Sequence, residues 1–574
     1  KAQAKKDWYL NYDLARLYAE YASTGNEALI TELVFDVFKN SLPAQQPDLW
    51  KRLFDEMAFM LDKPECEQFK KAVSDKNGKA GPLLLRFFRR EDAFPATPAN
   101  EALLIYFQRA AVAKTQFAYS QSLRGFDDRG ALYVRFGRPW RVHTDHSGLM
   151  GDVGWAFYPY EVWFYNPLHP DIYYTFIRKE GQFQYTLVDG PEFIYGPFYR
   201  SKSTFFNRDT RGAPRRGERV TVGRSTLLNQ PNAGETAMKL RDQIYAKLAP
   251  SHDNFRRRLY EIGNTRSDAE ALDYSLLHFT NEDRKHAARV DSIAPAVVFS
   301  EDYKAKSLPM LLSFSRFQDE AGKTRTEVYY GGLYRDVKFK RSPAGYQALL
   351  RGVIVILNDE YEVVTSDSIR ENCLLPSSAR TDSGGFVSQS NFFLPPAQYH
   401  LSFRIENQDE EQIGNLTYDL DVKPFPENSL SLSDLQFSPQ IREATAPHRF
   451  VKNGLFVKPL PSLAIDKDKP LFAYFEIYHL ARNNLGETNY QIDYRVYAPE
   501  SKRGFFKKLL GGDGKKHSIT LSASRQGNSS NQVEHVELDL GKLDSNDLEL
   551  EIVVTDMLAN QQVSSKLPFR LMER

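Results

Sequence analysis

The residues best placed to do chemistry stand in one short stretch. His143, Asp145 and His146 lie within four positions of one another, with His169 and Asp171 further on. Two imidazoles and a carboxylate form a donor set that zinc accepts, but such sites pair two ligands at helical or hairpin spacing with a third from elsewhere. The spacing here is loop-like and runs into the glycine-rich stretch Gly148 to Gly154. A metal-dependent hydrolase centred on His143 and His146 is therefore one expectation, and solvated loop histidines are the plainer one. The paired carboxylates Asp127–Asp128 and Asp409 to Glu411 fall in turns, where a hydrophilic loop explains them as well as acid–base work does. There is no Gly-x-Ser-x-Gly elbow, P-loop or Gly-x-Gly-x-x-Gly fingerprint. Cys66 and Cys373 are the only cysteines, so neither a disulfide framework nor a thiolate metal cluster is expected. This reading assigns no catalytic residue and no cofactor.

Two basic segments could hold a partner instead. Between Arg200 and Arg224 there are eight cations and two anions. Arg208, Arg211, Arg215, Arg216 and Arg219 could contact an acidic protein, an anionic lipid or lipopolysaccharide. The lack of a nucleic-acid-binding motif argues against nucleic acid. The run Lys502-Arg503-Gly504-Phe505-Phe506-Lys507-Lys508-Leu509-Leu510 sets two apolar pairs among cations. That composition suits a finger on an anionic membrane, or a loop folded onto its own or a partner's surface. The whole chain has a formal charge of +1, so any electrostatic attraction must come from such local patches.

The elements that position these residues change character along the 574 residues. Leu10, Leu14, Leu17, Tyr18 and Tyr21 recur on one face of a 3.6-residue period, and Ile30 to Phe38 and Trp50 to Leu61 repeat the pattern. Short loops between them predict helical hairpins of tetratricopeptide type over residues 1–96. A further helix is predicted from Thr97-Pro98 to about Tyr119, with Thr97 as cap. Then Leu132, Val134 and Phe136 alternate with polar neighbours, predicting a strand closed by Gly137-Arg138-Pro139. Glu161 to Tyr165 is read as a second strand, and Ile172–Ile177 and Phe183–Leu187 as a hairpin about Glu180-Gly181. Residues 97–198 thus form one small antiparallel module, with 199–234 as a basic loop. Residues 235–308 are read as a helical segment to Leu277 followed by a linker. From Leu311 onward short strands with regular turns predict two Ig-like β-sandwiches, at 309–424 and 425–574. The expected fold is α+β and multidomain. With 31 Tyr and 39 Phe, aromatics fill cores and cross-strand pairs, or expose a glycan platform such as Trp155, Tyr158 and Tyr160.

The stretch Arg86 to Gly190 resembles the GWxTD domain family. The signature region reads Gly125-Phe126-Asp127-Asp128-Arg129-Gly130, followed by Leu132 to Phe136 and Gly137-Arg138-Pro139. Glu161-Val162-Trp163-Phe164-Tyr165 is similar to the family's downstream strand. Gly454-Leu455, Pro459, Pro461 and Tyr474 to Tyr478 are similar to the tail of its long members. Phe126 stands where tryptophan is usual, the threonine is absent and the motif is one residue shorter. The resemblance implies a bacterial envelope location and carries over no catalytic residues. Read physically, the motif is a turn and anchor. Gly125 and Gly130 would supply unusual backbone angles, Asp128 would accept backbone amides, and Arg129 would pair with Asp128 or Glu161. Phe126 would be the buried plug.

No run of about 18 apolar residues suggests a membrane span, and a chain numbered from Lys1 fits removal of a signal peptide. The expectation is an exported protein, periplasmic or bound to the outer membrane. It would act as a non-catalytic scaffold or assembly subunit through contacts with other envelope proteins. A glycan- or peptidoglycan-binding module is the alternative.

Overall fold

Aliphatic side chains at three- and four-residue spacing produce the helices of the first 116 residues: α1 (Trp8–Tyr21), α2 (Glu27–Asn40), α3 (Pro47–Met57), α4 (Lys63–Ser74), α5 (Ala80–Arg90) and α6 (Glu101–Gln116). The computed structural model describes residues 7–21, 25–151, 154–195, 242–264, 269–300, 305–319, 322–343, 345–376, 384–498, 518–540 and 547–572. The chain divides into two compact units, Lys1–Lys304 and Ala305–Arg574.

In the first unit, Ile30, Val34, Val37 and Phe38 of α2 meet Trp50 and Leu53 of α3 and Phe87 and Phe88 of α5 in one aromatic-rich core. Two expectations need correction. The predicted apolar face of α1 is rotated: Tyr12 and Ala15 are buried and Tyr18 packs against that core, whereas Leu10 and Leu17 are exposed. Helix α6 begins at Asn100 and not at Thr97. The Asn100 side chain accepts from Leu103 N at 2.8 Å and donates to Phe88 O at 2.8 Å, so it caps one helix while tying down another.

The predicted strand at Leu132–Phe136 is helix α7 (Asp128–Phe136). Leu132 and Phe136 face the following sheet, and Val134 faces the helical core. A short helix buried on two sides alternates apolar and polar residues much as a strand does, which is why the period misled. Strands β1 (Arg141–Asp145), β2 (Leu149–Gly151), β3 (Gly154–Phe157), β4 (Tyr160–Phe164), β5 (Tyr173–Ile177) and β6 (Thr186–Val188) follow. Four of them form an antiparallel sheet in the order β1-β4-β5-β6. The predicted hairpin is β5–β6, with Gly181 at φ +72° in its connection. Helix α7 covers one face of the sheet. The other face packs on α8 (residues 242–248), α9 (Asp253–Asn264) and the front of α10 (Ala269–Ile293). Helix α10 runs sixteen residues past the predicted Leu277. Its inward face carries Asp283 and His286 beside Phe279 and Val290, and those polar residues hid the helical period.

The second unit is built from strands β7 (Lys306–Ser307), β8 (Leu311–Gln318), β9 (Thr324–Leu333), β10 (Lys340–Ser342), β11 (Gly345–Leu357), β12 (Val363–Leu375), β13 (Gly385–Leu394), β14 (Ala397–Asn407) and β15 (Gln412–Val422). These are followed by β16 (Ser431–Leu432), β17 (Gln436–Ser438), β18 (Ile441–Glu443), β19 (Val451–Lys452), β20 (Leu455–Val457), β21 (Ala464–Asp466), β22 (Leu471–Tyr478), β23 (Thr488–Tyr497), β24 (Ser518–Gly527), β25 (Gln532–Leu538), β26 (Asp547–Asp556) and β27 (Gln561–Met572). Sheet β10-β11-β14-β15-β7, with β12 on β11, faces sheet β13-β9-β8 across one core containing Ile354, Phe403 and Val328. Sheet β16-β22-β17, with β25 on β22, faces sheet β21-β27-β26-β23-β24 across another containing Phe475, Ile492 and Ile552. The stretch predicted as one strand from Phe450 to Val457 is instead the tight pair β19–β20. It turns at Asn453 (φ 45°) and Gly454 (φ 77°), angles that suit Asn-Gly.

Candidate functional site

The signature residues converge at the junction of α7 with the sheet. Asp127 caps α7 by accepting from Arg129 N at 3.0 Å, and the guanidinium of Arg129 folds back onto the same carboxylate at 2.8 Å. The Arg129 side chain also reaches Glu161 Oε1 at 2.6 Å, and Trp163 Nε1 donates to Glu161 Oε2 at 2.7 Å. Its guanidinium stacks 3.9 Å from the Tyr185 ring centroid, with Phe117 at 5.2 Å on the other ring contact. The second oxygen of Asp127 takes Tyr185 N at 3.0 Å, and Asp128 takes Leu187 N at 2.9 Å. The two carboxylates therefore clamp Tyr185 and Leu187, at the returning strand β6, directly to the start of α7, while Arg129 ties Asp127 to Glu161 of β4. Burial disfavours the Arg129 charge, but its two acid neighbours outweigh this and raise its pKa.

Of the two partners expected for Arg129, Glu161 is found and Asp128 is not. Asp127 pairs with Arg129, because the capping residue lies on the inner side of the turn and Asp128 on the outer. Phe126 is the expected plug, packed edge-on to Phe59 at 6.0 Å. Gly125 has the expected unusual backbone, at φ +83°, but Gly130 sits inside a helix. What Gly130 provides is room: a β-carbon there would lie 2.7 Å from the Phe126 ring. Gly137 ends α7 at φ +73°, and a side chain on it would strike the Arg109 guanidinium at 2.9 Å. That guanidinium donates to Val134 O, Arg135 O and Val298 O. Pro139 follows in the passage to β1.

The histidines separate. His143 Nε2 bonds to Ser251 Oγ at 2.7 Å on the face that meets α8 and α9, and its pKa is lowered by burial and then by Arg141 and Lys247. His146 Nδ1 bonds to Tyr185 OH at 2.9 Å on the α7 side. Asp145 accepts from Ser147 N and Gly148 N in the turn between them. Among the described residues no group of three or more His, Cys, Asp or Glu could hold a metal ion. Of the proposed aromatic platform, Tyr160 lies in the core and Tyr158 is half-buried. The Trp155 side chain lies outside the described residues, as do the basic loop with Arg208, Arg211, Arg215, Arg216 and Arg219 and the finger from Lys502 to Leu510.

Two further polar clusters were missed. In the first unit, buried Arg258 pairs with Asp283 at 2.7 Å and donates to Tyr245 OH at 3.1 Å. Tyr245 OH in turn donates to Glu192 at 2.5 Å. Nearby, the His286 ring stacks on Tyr173 at 3.9 Å and bonds to Asp171 O at 2.9 Å, and burial lowers its pKa to about 4.

In the second unit, period-two alternation sends Val328 and Tyr330 of β9 into one core and Arg325, Glu327 and Tyr329 out of its opposite face. Likewise β22 sends Ala473, Phe475 and Ile477 into the other core and Tyr474 and Glu476 outward. Those two outward faces meet. Lys452 bonds to Glu327 and, at 2.5 Å, to Gln436 Oε1; Arg325 bridges Glu327 at 3.1 Å and Glu476 at 2.8 Å. Tyr329 OH donates to Glu327 and Tyr474 OH to Glu476, at 2.8 and 2.9 Å. Two cations and two carboxylates are thus matched between the two sheet pairs. The signal was Arg325 and Glu327 on one strand and Glu476 on another, charged residues that alternate with core positions.

No family model matches this chain, and no curated protein matches it. Among solved structures, an Escherichia coli alpha-2-macroglobulin activated by porcine elastase is 10% identical over 46% of this chain and 23% of its own, with a TM-score of 0.15. The serine-rich repeat protein Srr2 of Streptococcus agalactiae is 11% identical over 46% of this chain and 92% of its own, also at 0.15. The matched part spans less than a quarter of the alpha-2-macroglobulin chain. At these scores neither likeness carries an assignment of fold or role.

Proposed function

We propose that this chain is a non-catalytic scaffold or assembly subunit of a bacterial envelope, acting through contacts with other envelope proteins in a larger assembly. One observation carries the reading: the most conspicuous polar constellation is closed upon itself. Both oxygens of Asp127 and both of Glu161 are engaged by Arg129, Tyr185 N or Trp163. A general base needs a lone pair aimed at a substrate proton, and a cation that is to bind an anion needs unused donors. The resemblance of Arg86 to Gly190 to the GWxTD domain family supports an exported, periplasmic or outer-membrane-associated setting. It also supports the 97–198 module, and the short, regularly turned strands beyond Leu311 favour two Ig-like β-sandwiches as the finer architecture. The basic loop and the Lys502–Leu510 finger are then contacts for an anionic membrane or an acidic partner.

Crosslinking in intact cells followed by mass spectrometry tests this. The scaffold reading expects recurrent crosslinks to other envelope proteins that survive detergent. Recovery of this chain alone, or only linked to itself, would remove the reading.

A further inference from the structure

Strand β24 is an edge that its own sequence leaves unprotected. It pairs with β23 in an unbroken register, from Thr488 opposite Gly527 to Tyr497 opposite Ser518, and with no other described strand. The phase of its hydrogen bonds follows from Met557 N, which donates to Asn489 O at 2.9 Å. Odd-numbered residues of β23 therefore bond to β26, and the even ones, Tyr490 to Val496, bond to β24. Their partners in β24 are Ile519, Leu521, Ala523 and Arg525. The backbone N–H and C=O groups of Thr520, Ser522 and Ser524 consequently point outward.

Edges that must stay unpaired carry lysines, prolines, bulges or inward-pointing charges. Among the other long edges, β12 holds Asp367, Arg370 and Glu371 and its register with β11 is broken near Leu357, whereas β13 is uncharged like most of β24. Strand β24 has no proline and no register shift, and Arg525 is its one charged residue. Beside the edge, Leu521 is 55% exposed.

We propose that β24 pairs antiparallel with β24 of a second copy of this chain, across a two-fold axis at Ser522, so that the two sheets become continuous. The outward groups dictate the register, because even residues must face even residues. Ser522 then meets its own copy, Thr520 meets Ser524, and Leu521 lies against Ala523. Hydroxyl residues opposite one another and a leucine against a small neighbour are favourable cross-strand pairs. Each Arg525 falls opposite residue 519 of the other copy, roughly 20 Å along the strand from the other Arg525, so no like charges meet. This match of an edge with itself is what singles out a second copy over an unrelated strand, since an isologous contact must be self-complementary. The pairing stands on β24 alone and holds whether or not the envelope scaffold reading does.

Sedimentation velocity on the full chain should show a dimer whose fraction grows with concentration. Ser522→Pro removes one outward N–H and the exposed Ser522 Oγ bond to Asp493, and leaves the backbone bonds to β23, which run through residues 521 and 523, in place. It should abolish the dimer with an unchanged far-UV spectrum. Independently, Leu521→Cys with Ala523→Cys, in a Cys66→Ser background, should oxidise to a dimer. Peptide mapping should join residue 521 of one copy to residue 523 of the other, because facing non-hydrogen-bonded residues sit about 4.5 Å apart, within disulfide reach. A chain that stays monomeric at every concentration, or a dimer that survives Ser522→Pro, overturns the proposal. So does an oxidised dimer lacking the 521–523 link, and that crosslink decides alone should Ser522→Pro fail to fold.

Discussion

The Arg129 anchor and the Lys452 junction are both buried charge clusters, yet they do opposite jobs in the chain. At the anchor, the cation and its capping acid are two residues apart, and Glu161 lies 32 residues on. The cluster closes a local passage from helix to sheet. At the junction, Lys452 and Glu327 are 125 residues apart, and Arg325 and Glu476 are 151 apart. There the charges pin two separately cored sheet pairs together. The same chemistry thus fixes a turn in one region and an interface in the other. Burial grades the consequence, since Lys452 and Glu327 are nearly without solvent contact, whereas Arg129 keeps a 13% exposed side chain.

Four perturbations sharpen that contrast. All five tryptophans lie in the first unit, so their fluorescence reports it, while the strand band of the far-UV spectrum is weighted to the second. The largest effect belongs to Lys452→Met. It removes one of the two cations on Glu327 and leaves Arg325 shared between two carboxylates in a dry interface, and breaking a buried pair costs about 3–5 kcal/mol. Urea denaturation followed by the strand band should show that loss, and adding Glu327→Met should return most of it. Arg129→Met should cost somewhat less, about 2–4 kcal/mol, because Asp127 keeps the Tyr185 and residue-129 backbone N–H groups and Glu161 keeps Trp163 Nε1 as donors. Its shift should appear in the tryptophan signal.

The third test uses pH. Burial holds the folded His286 near pKa 4, below its unfolded value of 6.5. A neutral imidazole is then favoured in the folded state. The stability it contributes is present above about pH 6.5 and is lost as pH falls through 4, by roughly 3 kcal/mol. Asp283, pushed up to about 7 by its own burial, works the other way over much of that window. The informative quantity is therefore the difference from His286→Phe, which keeps the stack on Tyr173 and should flatten the acid-side loss. A parent and variant with the same pH profile would put the cause elsewhere. The smallest effect should be Gly137→Ala, about 1–3 kcal/mol from the left-handed backbone and the displaced Arg109. Thermal melts of the tryptophan signal suffice to see it.

The same contrast explains what could be read from the residues alone. Helices α2 and α3 were legible because their buried residues are mostly apolar and helically spaced, with only Thr31 and Glu56 as polar exceptions. Helix α7 was not, since it is buried on two sides, and neither was the length of α10, whose inner face holds Asp283 and His286. Arg129 and Glu161 were legible as a pair because a turn motif and a strand motif each announce one partner. The Lys452 cluster was invisible. Alternation along β9 and β22 does show that Arg325, Glu327 and Glu476 leave their own cores, but it cannot show that those outer faces meet each other. In α1, Leu10 and Leu17 of the predicted stripe point outward while Tyr18 packs on the core, so regular spacing located a helix without fixing which face is covered.

The central claim is that the conspicuous charged residues hold elements together and are not free to react. The most direct test is a double-mutant cycle in urea on Arg129→Met and Glu161→Gln, followed by tryptophan fluorescence. The account predicts that each single change destabilises and that the double change costs at least about 2 kcal/mol less than the sum of the two. Additivity to within about 0.5 kcal/mol, with the parent's stability nearly retained in each single variant, would contradict it. These side chains would then be available for chemistry.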